Sequence, residues 1–368
     1  MGDFVMKKNS SICTLLETVM IFVLVFLWLN PVCAAITPED NYDTEALGDP
    51  SPEVFAWNGS IGYYDNQLIY CGDDKKIYAY DLDTGASTLV SDTSGIGDPW
   101  ESTAGFLVSS DDYLYFHDND FPTVNIYRLD LTAPRPTNYT SFNTGCSGSI
   151  YSFTENPWTN VIWFASAEFG GNMYLYEVDG AFTAATQRAA FAPPNGGGSG
   201  PIIFKGQQTL LYGESVWGGD GYFHEVDTAT GTVTTQDYLT FDGGLAGACY
   251  GYESIYATSG SGNTIYYIDG NTKTEVGATL EDAQGIVFGD GEVYISEQKS
   301  SDGSGTISLH ALWKRNGEEP PSDDSSNCFI SASGTESDIS EKDISAAILV
   351  LFLCASLFPA VRFFRRER

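Results

Sequence analysis

Between residues 53 and 316 the chain alternates short apolar runs with turn-forming residues, and the alternation itself repeats. Six apolar runs end in an aromatic, at Tyr70, Tyr115, Trp163, Tyr212, Tyr256 and Tyr294, spaced 38 to 49 residues apart. A turn rich in Gly, Asp and Asn follows each. A second run then closes on aromatic-x-aliphatic-Asp, at Asp83, Asp130, Asp179, Asp227 and Asp269. The sixth copy, Ile307 to Leu312, keeps the run and loses the Asp. A further apolar run precedes each aromatic one, and a Thr-rich segment follows the second. Short runs rich in Tyr, Phe, Ile and Val between turn residues predict strands.

Four short strands in each repeat of about 40 to 50 residues predict propeller blades. No blade can bury both faces alone, whereas six stacked around an axis can. The expectation is an all-β, six-bladed β-propeller of four-stranded antiparallel blades. The recurring aromatic should pack between neighbouring sheets. Gly62, Gly105, Gly247 and Gly285 sit in the innermost strands, where crowding requires small residues. The sixth copy lacks a fourth strand, so a spare run from Glu53 to Trp57 is expected to complete it and remove the open edge. A parallel solenoid is the rival, but its turns are shorter, at about 20 to 30 residues.

The two ends break the pattern. Residues 1–35 read as an export signal: Lys7 and Lys8, an apolar run from Val19 to Leu29, then the small pair Val32 and Ala34. An uncleaved anchor and a lipoprotein signal using Cys33 are the alternatives. Residues 36–52 read as an acidic linker, and residues 317–343 as a polar one. Residues 344–361 are apolar and long enough for a membrane-spanning helix. The basic tail at 362–368 places that end in the cytoplasm. The body is therefore expected outside the membrane, periplasmic or at the cell surface and anchored at its C-terminus.

Composition agrees. Of 368 residues, 42% are hydrophobic and 14% aromatic, enough for a large core. The formal net charge is −32, which excludes a nucleic-acid footprint. Between residues 36 and 321, 40 acidic residues face 10 basic ones.

Two resemblances follow from these residues. The run "LIYCGDDKKIYAYDLDTG" resembles the repeats of six-bladed propellers of the YWTD and lactonase types, although no copy carries a Trp-Thr-Asp core. From Cys328 to Arg368, the chain is similar to the C-terminal sorting tails of bacterial surface proteins. Its Cys328-Phe329-Ile330 box is followed by an apolar run and a basic cluster. That resemblance implies cleavage before the helix and modification of Cys328 as an anchor; a plain single-pass helix is the alternative.

Candidate chemistry is sparse. His117, His224 and His310 fall in separate repeats and match no triad or zinc motif. Cys71, Cys146 and Cys249 lie in non-adjacent repeats without CxxC spacing, and are expected to be small buried residues. Carboxylates are abundant. Asp73, Asp74, Asp118, Asp120, Glu168 and Asp220 fall in the loops between the second and third strands of four repeats. In a propeller these loops share a face with the starts of the inner strands. Those starts bring Trp57, Asn58, Asp98, Trp100, Glu281 and Gln284 to a predicted ligand face. Oxygen-rich loops suit Ca²⁺, with Asp73, Asp118, Asp120 and Asp220 as candidate ligands; turn chemistry and solubilising charge are the favoured account of them.

Two functions remain open. One is a binding module for a protein, glycan or small ligand. The other is a Ca²⁺-dependent hydrolase of the lactonase or gluconolactonase kind, which needs an axial metal and a carboxylate base. Glu101, Asp242 and Asp282 are its candidate residues. The inner strands are apolar or small, which favours binding.

Overall fold

The structure is a computed structural model. It describes residues 42–54, 61–96, 105–118, 124–133, 139–168, 170–216, 218–251, 254–259, 264–279, 283–298 and 307–314. The predicted signal, the Cys328-Phe329-Ile330 box and the apolar run at 344–361 lie outside them. Among the described residues, no helix is long and apolar enough to cross a membrane.

The described residues form six four-stranded antiparallel sheets. Strand β1 (Tyr42–Gly48) comes first in the chain and joins the last sheet. The first sheet is β2 (Ile61–Tyr64), β3 (Gln67–Cys71), β4 (Lys76–Asp81) and β5 (Ser87–Asp92). The second is β6 (Leu107–Val108), β7 (Tyr113–His117), β8 (Asn125–Asp130) and β9 (Tyr139–Asn143). The third is β10 (Ser149–Asn156), β11 (Val161–Ala167), β12 (Met173–Val178) and β13 (Ala185–Phe191). The fourth is β14 (Gly198–Gly206), β15 (Thr209–Ser215), β16 (Gly221–Asp227) and β17 (Thr232–Phe241). The fifth is β18 (Gly247–Gly251), β19 (Ser254–Ser259), β20 (Thr264–Asp269) and β21 (Thr272–Thr279). The sixth runs β22 (Ala283–Gly289), β23 (Glu292–Gln298), β24 (Ile307–Lys314), β1.

Six apolar clusters lie between successive sheets, and the last joins the sixth sheet to the first. Each sheet is buried on both faces, which is why its second strand reads as an unbroken apolar run rather than an alternating one. The recurring aromatics are buried, at 5% exposure or less. They do not all face the same way. Tyr70 and Tyr212 pack toward the preceding sheet. Tyr115, Trp163, Tyr256 and Tyr294 pack toward the following one. Strand pairing shows why. Gln67, Tyr113 and Thr209 sit opposite Asp81, Asp130 and Asp227, so Tyr70 aligns with Phe116 and Tyr212, not with Tyr115. A slip of one residue moves a side chain to the other face of the sheet. Either face is apolar here, so an aromatic is tolerated on both.

The same pairing corrects the first repeat's turn aspartate, which is Asp81 rather than Asp83. Asp81 Oδ1 accepts from the Thr84 amide at 2.8 Å. Asp130 accepts from the hydroxyl and amide of Thr132, and Asp179 from the hydroxyl and amide of Thr183. These turn hydrogen bonds hold all three carboxyls below the ordinary aspartate range.

The strand that completes the sixth sheet is also corrected. It is β1, within the stretch expected to be a linker, and it pairs with β24 from Tyr42↔Lys314 to Gly48↔Leu309. Val54 instead bridges Gly72, and Glu53 accepts from the Asp73 amide at 3.0 Å. Residues 53–54 therefore line the first sheet instead of sealing the ring. The alternation from Tyr42 to Leu47 is short and acidic, so it reads as a linker until β24 supplies its partner.

Gly62 in β2 and Gly105, which lies two residues before β6 rather than in an inner strand, show the crowding between sheets. A Cβ on Gly62 would lie 2.5 Å from Val108 Cγ2 of the second sheet, and one on Gly105 would lie 2.9 Å from the Phe153 ring of the third. The Asp65–Asn66 hairpin takes positive φ at both residues, the backbone of a tight two-residue turn.

Removing residues 42–48 should expose the edge of β24. The shortened protein is expected to melt at a lower temperature than the full chain and to self-associate, as read by calorimetry and size-exclusion chromatography. A monomer of unchanged melting temperature would contradict closure by this strand.

Candidate functional site

The loops between second and third strands share a face with the starts of the inner strands. The Asp73 amide donates to Glu53, Ser166 Oγ donates to Ser147 O at 2.9 Å, and Thr258 Oγ1 donates to Gln284 O at 3.0 Å. The opposite face gathers the other turns: the Leu82 amide donates to Asn66 O and the Leu131 amide to Asp112 O.

On the first face, one position recurs. The sixth residue from the start of each second strand is Gly72, Asp118, Ser166, Glu214, Ser259 or Glu297, and the last five are buried polar residues. Buried polar groups need partners. Asp118 accepts from the Asn125 amide at 2.8 Å, from Asn125 Nδ2 at 2.6 Å and from the Tyr127 hydroxyl at 2.8 Å.

Glu214 is the most elaborate case. It is 0% exposed, on β15. Oε1 accepts from the amides of Asn195 (3.0 Å) and Gly197 (2.7 Å), and Oε2 accepts from Asn195 Nδ2 at 3.2 Å. His224 Nε2 lies 2.9 Å from Oε2. The amide of Asp237 donates to His224 Nδ1 at 3.1 Å, so Nδ1 carries no proton and Nε2–H is the donor to Glu214, a tautomer assigned from the network. Burial pushes the Glu214 carboxyl up. The bonds from His224, Gly197 and Asn195 outweigh burial and hold it below its ordinary value. The arrangement clamps the loop before β14. Both histidine nitrogens are engaged, which leaves neither for a substrate.

The predicted site residues distribute as follows. Trp57, Asn58, Asp98, Trp100, Glu101, Asp120, Glu281 and Asp282 lie outside the described residues. Gln284 is half-buried in β22, and its carbonyl accepts from Thr258. Asp73, Glu168 and Asp220 are exposed in their loops, and Asp242 is exposed after β17. Asp74 binds Lys76 and the Tyr78 hydroxyl, each at 2.8 Å. Among the described residues, no three His, Cys, Asp or Glu side chains come together as a metal would require. Cys71, Cys146 and Cys249 are buried and free, and burial pushes Cys71 up to about 12.

Sequence reasoning missed the Glu214–His224 pair. The correct repeat frame would have exposed it: Tyr212 pairs with His224, placing Glu214 two residues along the same strand.

No protein-family model matches the chain, and no curated protein matches it in sequence. Solved structures do resemble it. A gluconolactonase from Xanthomonas campestris aligns with TM-score 0.53 at 12% identity, covering 73% of this chain and 89% of that one. The fold is a β-propeller. A Bacteroides thetaiotaomicron protein of unknown function aligns with TM-score 0.53 at 13% identity over 75% of this chain and 77% of that one. Hydrazine synthase of Kuenenia stuttgartiensis gives 0.52 at 10% identity, over 71% and 84%. At these identities the likeness is one of propeller fold, which hosts many functions.

Glu214→Gln should cost about 1–3 kcal/mol at pH 7, because a carboxamide turns N–H groups toward the donors of Asn195 and Gly197. Glu214 titrates below its ordinary value, so its contribution is present above about pH 4.5 and is lost as pH falls through the folded-state value. The gap between wild type and variant is therefore expected to narrow on acidification. Urea unfolding at pH 7 and pH 4 measures it; a gap that does not change would contradict a charged, clamped Glu214.

Proposed function

We propose that this chain is an exported, membrane- or surface-anchored β-propeller that binds a ligand on the face formed by its second-to-third-strand loops and the starts of its inner strands. The observation that supports this is the use of polar side chains on that face. Asp118 is turned inward onto Asn125 and Tyr127 of its own sheet, and Glu214 onto the backbone of the loop before β14, which it holds in place. A loop held in place at the mouth of the inner strands is suited to recognition. A ligand of negative charge is disfavoured by a body with 40 acidic and 10 basic residues. The partner is therefore a neutral or cationic protein, glycan or small molecule.

A second reading is kept because a gluconolactonase shares the fold. It requires Glu101, Asp242 and Asp282 to converge on an axial Ca²⁺, and of these only Asp242 is described, exposed at the end of β17.

Lactone hydrolysis by the purified full chain, with Ca²⁺ and with chelator, separates the two. The binding reading expects the background rate in both, and unchanged rates in Glu101→Gln and Asp282→Asn. Hydrolysis that the chelator abolishes, and that either substitution lowers by about a hundredfold or more, would establish the second reading.

Export and anchoring are tested separately. Deleting residues 344–368 is expected to release the protein to the medium or periplasm. Retention of the shortened chain in the membrane fraction would disprove a C-terminal anchor.

A further inference from the structure

The loop that Glu214 clamps contains the dipeptide Asn195-Gly196, and Asn195 is exposed to solvent. A glycine after asparagine leaves its backbone nitrogen sterically open to the side chain. That nitrogen can attack Cγ of Asn195. The new C–N bond closes a five-membered succinimide, Cγ–Nδ2 breaks, and ammonia leaves with the amide proton. Water then opens the ring to aspartate or isoaspartate.

The fold opposes each requirement of that reaction. The attacking nitrogen is engaged, since the Gly196 amide donates to Pro193 O at 3.2 Å. The leaving group is tied twice, since Asn195 Nδ2 donates to Asp237 Oδ1 at 2.8 Å and to Glu214 Oε2 at 3.2 Å. The flanking amides of Asn195 and Gly197 are fixed on Glu214 Oε1, which prevents the backbone rotation that brings nitrogen and Cγ together. Gly196 is held at φ +75°, the left-handed region.

We propose that Asn195 is a deamidation site guarded by the Glu214 clamp. Modification proceeds only through transient opening of the loop, and it is not reversed on closing. The product places a third carboxylate against Glu214 and Asp237, where two carboxylates already share the Asn195 amide. Like charges at this range repel, and the donor that joined them is gone. Each modified molecule therefore keeps an unlatched loop on the face formed by the second-to-third-strand loops, whatever that face binds.

The test is peptide mapping by mass spectrometry of the full chain held at mildly alkaline pH. A synthetic peptide spanning residues 190–200 serves as the unclamped reference. Wild type is expected to deamidate at Asn195 at least about tenfold more slowly than the peptide, as opening of a structured loop requires. Asp237→Gly removes the exposed acceptor of Nδ2 and suits the positive φ at that position, and Glu214→Gln loosens the whole clamp. Both should raise the rate at Asn195, Glu214→Gln by more. Asn58-Gly59 and Asn316-Gly317 in the same chain are internal comparators whose rates should not change. If Glu214→Gln fails to fold, Asp237→Gly decides. The proposal is overturned by a wild-type rate equal to that of the peptide, by a variant rate equal to wild type, or by an equal rise at the comparator sites.

Discussion

Every blade of this molecule is a four-stranded sheet with two apolar faces, and a sheet of that kind has no stable existence in water until both faces are covered. The six clusters between sheets meet this demand in turn, each from residues of two adjacent sheets. Burial of side chains such as Tyr70, Phe164, Tyr212 and Phe223 is the dominant stabilising term, at roughly 25 cal/mol per Å² of apolar surface removed from water. Because the last interface returns to the first sheet, no sheet is left with an uncovered face. This is the reason the edge strand matters. Without β1, the sixth sheet has an unpaired edge at β24 beside the interface that closes the ring.

The polar architecture is subordinate to that constraint. Side chains at the ends of the second strands are buried by the packing around them, so each polar one must find a partner nearby. The nearest unpaired groups are the backbone amides and carbonyls of the loops leading into the inner strands. Ser166 and Thr258 bind one such carbonyl each, and Glu214 binds two amides. Asp118 meets the same need from the third strand of its own sheet. The result is a face on which the segments at Ser147, Asn195–Gly197 and Gln284 are pinned from beneath, while exposed carboxylates such as Asp73, Glu168 and Asp220 remain in solvent.

Charge has a different role. Among the described residues, acids such as Asp73, Asp83, Asp111, Glu168 and Asp220 are exposed and contribute solubility and long-range repulsion. A few are structural: the turn aspartates Asp81, Asp130 and Asp179 satisfy local amides, and Lys205 joins Glu225 across 2.5 Å while covering the Tyr238 ring. The two kinds of carboxylate differ in whether donors surround them.

Repeat period, strand composition and turn residues were enough to specify an all-β propeller of four-stranded blades, because each blade is built from contacts close in sequence. The frame within the repeat was not legible. A strand buried on both faces has no polar side to mark which residue points where, so Tyr115 passed for the equivalent of Tyr70. The sealing strand was not legible either. Tyr42–Gly48 pairs with residues more than 260 positions later, and such a partner leaves no local signal. Candidate acids could be assigned to loops from the sequence alone, since turn chemistry is local. Which of them are exposed, and which are drawn inward as Asp118 and Glu214 are, depended on donors that only the packed sheets bring within hydrogen-bonding distance.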